Sequence, residues 1–221
     1  MADGFGMLGA AAALFTASHV GLPGAPRRPL VRRLGEGGYR LLFSAVALGS
    51  FIWLVNAWKA APGELLWVPP AWAWHVAPLI MLLAAILFVG SLSRANASLA
   101  GAPGASRPTG VLRITRHPMM WGFALWAGVH AWLSGTAATL VLAAAVAVTA
   151  VGGAALQESR KAATDPGWRA YAAQSSFFPF ALGRVWPGWL ALIGGAALLA
   201  VATWAHPHRG APAVPPWVWQ R

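Results

Sequence analysis

Apolar residues run through this chain in long blocks, and short segments between them hold nearly all the charge. A helix that crosses a bilayer needs roughly 20 mostly apolar residues. Six blocks meet or approach that length: Gly4–Leu22, Tyr39–Trp58, Trp74–Leu92, Pro118–Ser134, Thr136–Leu156 and Trp186–Ala205. Pro23-Gly24 closes the first, and Ser134-Gly135 forms a tight turn between the fourth and fifth. The pattern predicts an all-α fold, a polytopic transmembrane bundle of six helices in one domain over residues 1–205. The Pro-rich stretch His206–Arg221 reads as an extended tail. Residues 100–110 (AGAPGASRPTG) read as a flexible loop. Gly pairs at Gly152-Gly153 and Gly194-Gly195 are candidates for close helix approach, because small residues let backbones meet inside a membrane.

Orientation follows from the basic residues. The loop after the first block holds Arg27, Arg28, Arg32, Arg33 and Arg40. The third loop holds Arg94, Arg107, Arg113 and Arg116, and the fifth holds Arg160, Lys161, Arg169 and Arg184. The opposite side keeps only Lys59, Arg209 and Arg221 of the 16 Lys and Arg. Cytoplasmic loops carry the excess of Lys and Arg, so both termini are expected on the outer, periplasmic side. Trp53, Trp58, Trp67, Trp72 and Trp74 gather around the outer second loop, as interfacial tryptophans do.

Composition agrees with a membrane protein whose main partner is the lipid bilayer. Hydrophobic residues make up 58% and charged residues 10%, against about 25% charged in a soluble domain. The net charge of +11 follows loop positions rather than one stripe, which argues against nucleic acid. The absence of cysteine excludes disulfides, thiolate ligands and cysteine nucleophiles. The N-terminus has no basic run ahead of its apolar block, so that block reads as an uncleaved membrane helix.

Histidines are the main carriers of chemistry. His117 precedes Pro118 and reads as the N-cap of the fourth helix, where Arg116 and the helix start favour an anion or a lipid phosphate. His130 lies 12 residues after Pro118, about 18 Å along the helix. A histidine there needs a partner or a job, which is either a hydrogen bond to a neighbouring helix or ligation. His75 opens the third helix from the outer side, and His19 sits one turn before the inner end of the first. His206 and His208 fall in the tail and are expected to be solvated. Two neutral imidazoles from different helices can hold a heme iron, and bundle cores host such cofactors. Depth pairs His75 with His130, and His19 with His117. His19 and His130 are roughly 15–18 Å apart along the membrane normal.

Ordered motifs carry a resemblance over most of the chain. They are Leu14-Phe15 through Ser18-His19, Leu34-Gly35-Glu36-Gly37-Gly38-Tyr39-Arg40, and Leu66-Trp67-Val68-Pro69-Pro70-Ala71-Trp72 ahead of His75. After them come Thr115-Arg116-His117-Pro118-Met119 and Leu125-Trp126-Ala127 through His130. In these the chain resembles the NnrU family of bacterial integral membrane proteins. The resemblance implies a multi-pass protein of the bacterial inner membrane linked to denitrification and nitric oxide metabolism. It also implies kinship with 15-cis-zeta-carotene isomerase, a heme b protein. The heme-ligand histidines of that relative match His19 and His130, and its cysteine falls at Ala127. Isomerase or oxidoreductase chemistry on a hydrophobic small-molecule substrate would follow. A second resemblance is to isoprenylcysteine-type membrane methyltransferases, through Arg116-His117-Pro118 with Gly122, then Glu158 and Gly167-Trp168-Arg169-Ala170-Tyr171. It implies S-adenosylmethionine at the cytoplasmic face, although Met120 replaces the expected tyrosine and one Glu stands for a pair. A third reading is a non-enzymatic accessory membrane protein with structural histidines.

Overall fold

The computed structural model describes residues 2–93, 96, 107–183 and 185–208. Its helices are α1 (Ala2–Gly21), α2 (Arg27–Ala60), α3 (Ala73–Ser91), α4 (Val111–Ile114), α5 (Pro118–Ser134), α6 (Ala137–Thr164), α7 (Trp168–Ala173) and α8 (Trp189–His208). Five of them, α1, α2, α3, α6 and α8, are long and apolar enough to cross a membrane. α5 has 17 residues, about 25 Å of helix.

The helices form a row of packed neighbours. α2 packs on α1, α1 on α6, α6 on α5, α5 on α3 and α3 on α8. One core joins Leu8, Ala11 and Phe15 of α1 to Leu54 of α2, Ala127 of α5 and Leu142 and Val146 of α6. A second joins Ile86 and Leu87 of α3 to Leu112 and Ile114 of α4 and Ala191 of α8. Close approach falls at particular glycines. A Cβ on Gly195 would stand 2.8 Å from the Ile86 backbone, and one on Gly122 would stand 2.9 Å from the Ala84 carbonyl oxygen. Gly152 and Gly153, expected to serve the same purpose, have open space where a Cβ would go. Glycine pairs mark contact only where a neighbouring helix lies on that face.

The basic end differs from the sequence expectation. Arg27–Leu34 is helical and continuous with α2 except at Gly35, whose φ of 70° lies where glycine is favoured. Arg27 folds back over this bend to Glu36 (2.8 Å) and stacks its guanidinium on Tyr39. Tyr39 in turn donates to the Leu22 carbonyl, tying α2 to the end of α1. α6 runs two turns past the expected Leu156 and carries Glu158 into the basic end. The loop over 100–110 lies mostly outside the described residues, as does the tail from 209 onward.

The opposite, tryptophan-rich end is capped by the segment joining α2 to α3. Leu65 and Thr136 form an isolated antiparallel bridge. Leu66 N–H donates to the Gly135 carbonyl (2.8 Å) and Ala137 N–H to the Glu64 carbonyl (3.0 Å). Trp67 Nε1 donates to the Trp132 carbonyl (2.9 Å), and the Trp72 ring packs on Trp132. The tryptophans expected at the interface therefore also close the α5–α6 turn.

Candidate functional site

The five singled-out residues fall into four separate places. At the basic end, His117 is the N-cap of α5 with Pro118 in the first turn. Glu158 of α6 meets it at 2.5 Å from Nε2. The same carboxylate accepts from Arg116 Nε at 2.5 Å and Nη2 at 3.2 Å, and Arg116 Nη1 donates to the Ser175 carbonyl. The segment after α7 is stitched to this cluster. Thr115 Oγ1 and Trp121 Nε1 both donate to the Phe177 carbonyl, and Arg116 N–H donates to that of Ser176. Phe180, at φ 61°, is held there by its N–H bond to the Ile114 carbonyl. Few side chains adopt that φ without such an anchor. Trp168 and Phe177 enclose the imidazole, with ring centres 6.3 and 5.3 Å away.

The His117 side chain is fully buried. Burial pushes its pKa below the usual value, against the opposing pull of Glu158 and Gln157. The ring is therefore neutral with its proton on Nε2, donated to the carboxylate. Nδ1 is left as a buried lone pair without a bond of standard geometry. Burial also pushes the Tyr171 hydroxyl up to about 12, so it stays protonated. A testable pH dependence follows. Below about pH 6.5 an unfolded histidine takes up a proton, whereas the folded His117 resists it. Stability is therefore present above that pH and declines as pH falls toward the lowered folded value. Thermal unfolding in detergent should show the wild-type midpoint falling between pH 7.5 and 5.5, and His117→Asn should flatten that slope.

His19 lies near the basic end of α1. Its Nδ1 is 2.8 Å from the Phe15 carbonyl, and its ring packs on Phe15 and Phe43. Ser18 beside it meets Ser50 of α2. His75 is exposed in the first turn of α3.

His130 occupies the fourth place, near the tryptophan-rich end. Its ring stacks on Trp126, 4.2 Å between centres, and its Nδ1 is 2.8 Å from the Trp126 carbonyl. The structure adds a residue that the sequence placed in a solvated tail. His206 lies inside α8, is partly buried, and its ring centre is 6.1 Å from that of His130. Its Nδ1 is 2.6 Å from the Ala202 carbonyl. The signal was available in the apolar block ending at Ala205, since one further helical turn includes His206.

His19 and His130 are kept apart. Thr16 of α1 is level with Thr149 of α6, and Ser134 of α5 with Thr139 of α6. Taking 1.5 Å per residue along α6, His19 and His130 differ in depth by about 13 Å. Their helices, α1 and α5, both pack on α6.

In His19, His130 and His206 the acceptor is a carbonyl four residues earlier. A carbonyl only accepts, so Nδ1 holds the proton and Nε2 keeps its lone pair. Metal-binding histidines are oriented by this kind of bond, so the donor chemistry fits heme iron. Among the described residues no group of three or more His, Cys, Asp or Glu is arranged for a bare metal ion. A cavity of about 290 Å³ at the α6–α7 turn is lined by Ala162–Pro166 and Arg169, away from these histidines.

Comparison with known proteins matches the family model described as NnrU protein to residues 7–213. No curated protein and no solved structure matches the chain.

Proposed function

The chain belongs to the NnrU family, and from that premise we propose that it is a heme b-binding inner-membrane protein with His130 as one axial ligand. The observation that carries this reading is the bond from His130 Nδ1 to the Trp126 carbonyl, which leaves Nε2 as a fixed donor in an apolar helix. The basic end lies in the cytoplasm, the chain crosses six times with α5 as the short crossing, and both termini are periplasmic. When bound, heme would supply one-electron chemistry. The chain's own residues would hold it, with the Trp126 carbonyl orienting the His130 ring. Kinship with carotene isomerases and a place in nitric oxide metabolism belong to this proposal, as does a hydrophobic small-molecule substrate.

The test is spectroscopic. Protein purified after heme-replete expression should show a Soret band, and His130→Ala should lose or shift it. A wild-type chain without that band sinks the reading. A His130→Ala chain with the wild-type spectrum sinks the assignment.

One observation keeps the methyltransferase reading as an alternative. Arg116, His117, Glu158, Trp168 and Tyr171, scattered in sequence, meet in one cluster. Against it, the imidazole is fully buried and bound to the carboxylate, so the pair holds α5, α6 and the segment after α7 together. Retention of radiolabelled S-adenosylmethionine by the purified protein would favour the alternative, and its absence favours a structural role.

A further inference from the structure

We infer that His206 stands opposite His130 as the second nitrogen ligand, a pairing that rests on the heme reading and departs from the His19 pairing implied by resemblance. Three independent features lead to it. The first is spacing. Two imidazoles on one metal at about 2.0–2.1 Å per bond hold their ring centres roughly 6 Å apart, and His130 and His206 are separated by 6.1 Å.

The second is the shared tautomer. Each ring gives its Nδ1 proton to the carbonyl one turn earlier on its own helix, Trp126 for His130 and Ala202 for His206. Both therefore offer an Nε2 lone pair, and neither has to break a backbone bond to ligate. A neutral imidazole with its other nitrogen tied to a carbonyl is the usual form of a histidine ligand.

The third is the helix arrangement. α5 and α8 each pack on α3 and not along one another. The two ligands would therefore come from helices joined through α3 rather than packed along each other. His19 has the same tautomer but lies about 13 Å deeper along the bundle. An iron held by His130 is out of its reach unless α1 slides by more than two turns.

The placement has a functional consequence. His206 is in the last turns of α8, so a heme held there would lie near the outer surface of the membrane. That suits exchange of electrons with a periplasmic donor or acceptor.

The experiment uses the full-length chain loaded with heme b. Wild type should be six-coordinate and low-spin in its visible and electron paramagnetic resonance spectra. His206→Gly should become five-coordinate and high-spin, and added imidazole should restore the low-spin signal. His19→Gly should keep the wild-type spectrum. A His206→Gly chain that stays low-spin without imidazole, or that imidazole fails to restore, overturns the pairing. So does a His19→Gly chain that turns high-spin. If wild type takes up no heme, the parent reading fails and this pairing with it. If only the His206 result fails, heme binding stands and the partner is another residue.

Discussion

Replacing Glu158 with alanine is expected to destabilise the fold by roughly 2–3 kcal/mol, below the full range for breaking one side of a buried ion pair because the Glu158 side chain is 23% exposed. The carboxylate is the common acceptor for Arg116 and His117, whose side chains are 14% and 0% exposed. Without it the guanidinium, which also donates to the Ser175 carbonyl, loses the carboxylate that both its Nε and Nη2 reach. The cost comes chiefly from removing the countercharge of a largely enclosed guanidinium, because the net worth of such a pair is small once desolvation is counted. The double variant Arg116→Met with Glu158→Ala should therefore recover much of the loss, and a double-mutant cycle measures the coupling. Glu158→Gln should fall between the two, since an amide still accepts from the imidazole but does not balance the guanidinium. Thermal unfolding in detergent reads each variant. Losses that simply add across the two sites would show that the three side chains do not act as one unit. Limited proteolysis should cut first in the segment Ser175–Phe180, which the cluster pins.

Gly135→Ala is expected to cost about 3 kcal/mol or more at the opposite end. Gly135 closes α5 with φ 63° and ψ 11°, the left-handed conformation that ends many helices. An L side chain there costs roughly 1–2 kcal/mol from its own backbone. The larger part is steric. A Cβ at this site would overlap the Trp67 carbonyl oxygen, with the Trp67 carbonyl carbon 3.1 Å away. Backbone cannot rotate out of the way as a side chain can, so the α2–α3 segment must lift. That movement loosens the Leu66 bond to the Gly135 carbonyl. Gly152→Ala is the matched control. It has open space for the methyl group inside α6 and should be neutral or slightly stabilising, since alanine is favoured over glycine in a helix by about 1 kcal/mol. Equal unfolding temperatures for the two alanine variants would contradict the close contact at Gly135.

Much of the fold was legible in residue order. The apolar blocks located the apolar part of each long helix, although α2 begins 12 residues before the expected Tyr39 and α6 ends 8 residues after the expected Leu156. His117-Pro118 marked the start of α5 and Ser134-Gly135 its end, because proline and left-handed glycine act through local backbone geometry. Arg27–Leu34 was missed because a charged amphipathic turn has no apolar block to announce it. The last turn of α8 was missed because its histidine and prolines resemble a tail.

What the chain determined by itself is therefore whatever depends on neighbours in sequence: helix positions, the charge asymmetry between the two ends, and the histidines available. Which of those residues meet was decided only by tertiary packing. Glu158 reaches Arg116 and His117 across more than 40 residues, and His206 reaches His130 across more than 70. Hydropathy has no term for such pairs. The row of helices α2–α1–α6–α5–α3–α8 brings them together, with close glycine contacts where α5 and α8 meet α3, a property of shape that no one-dimensional pattern carries.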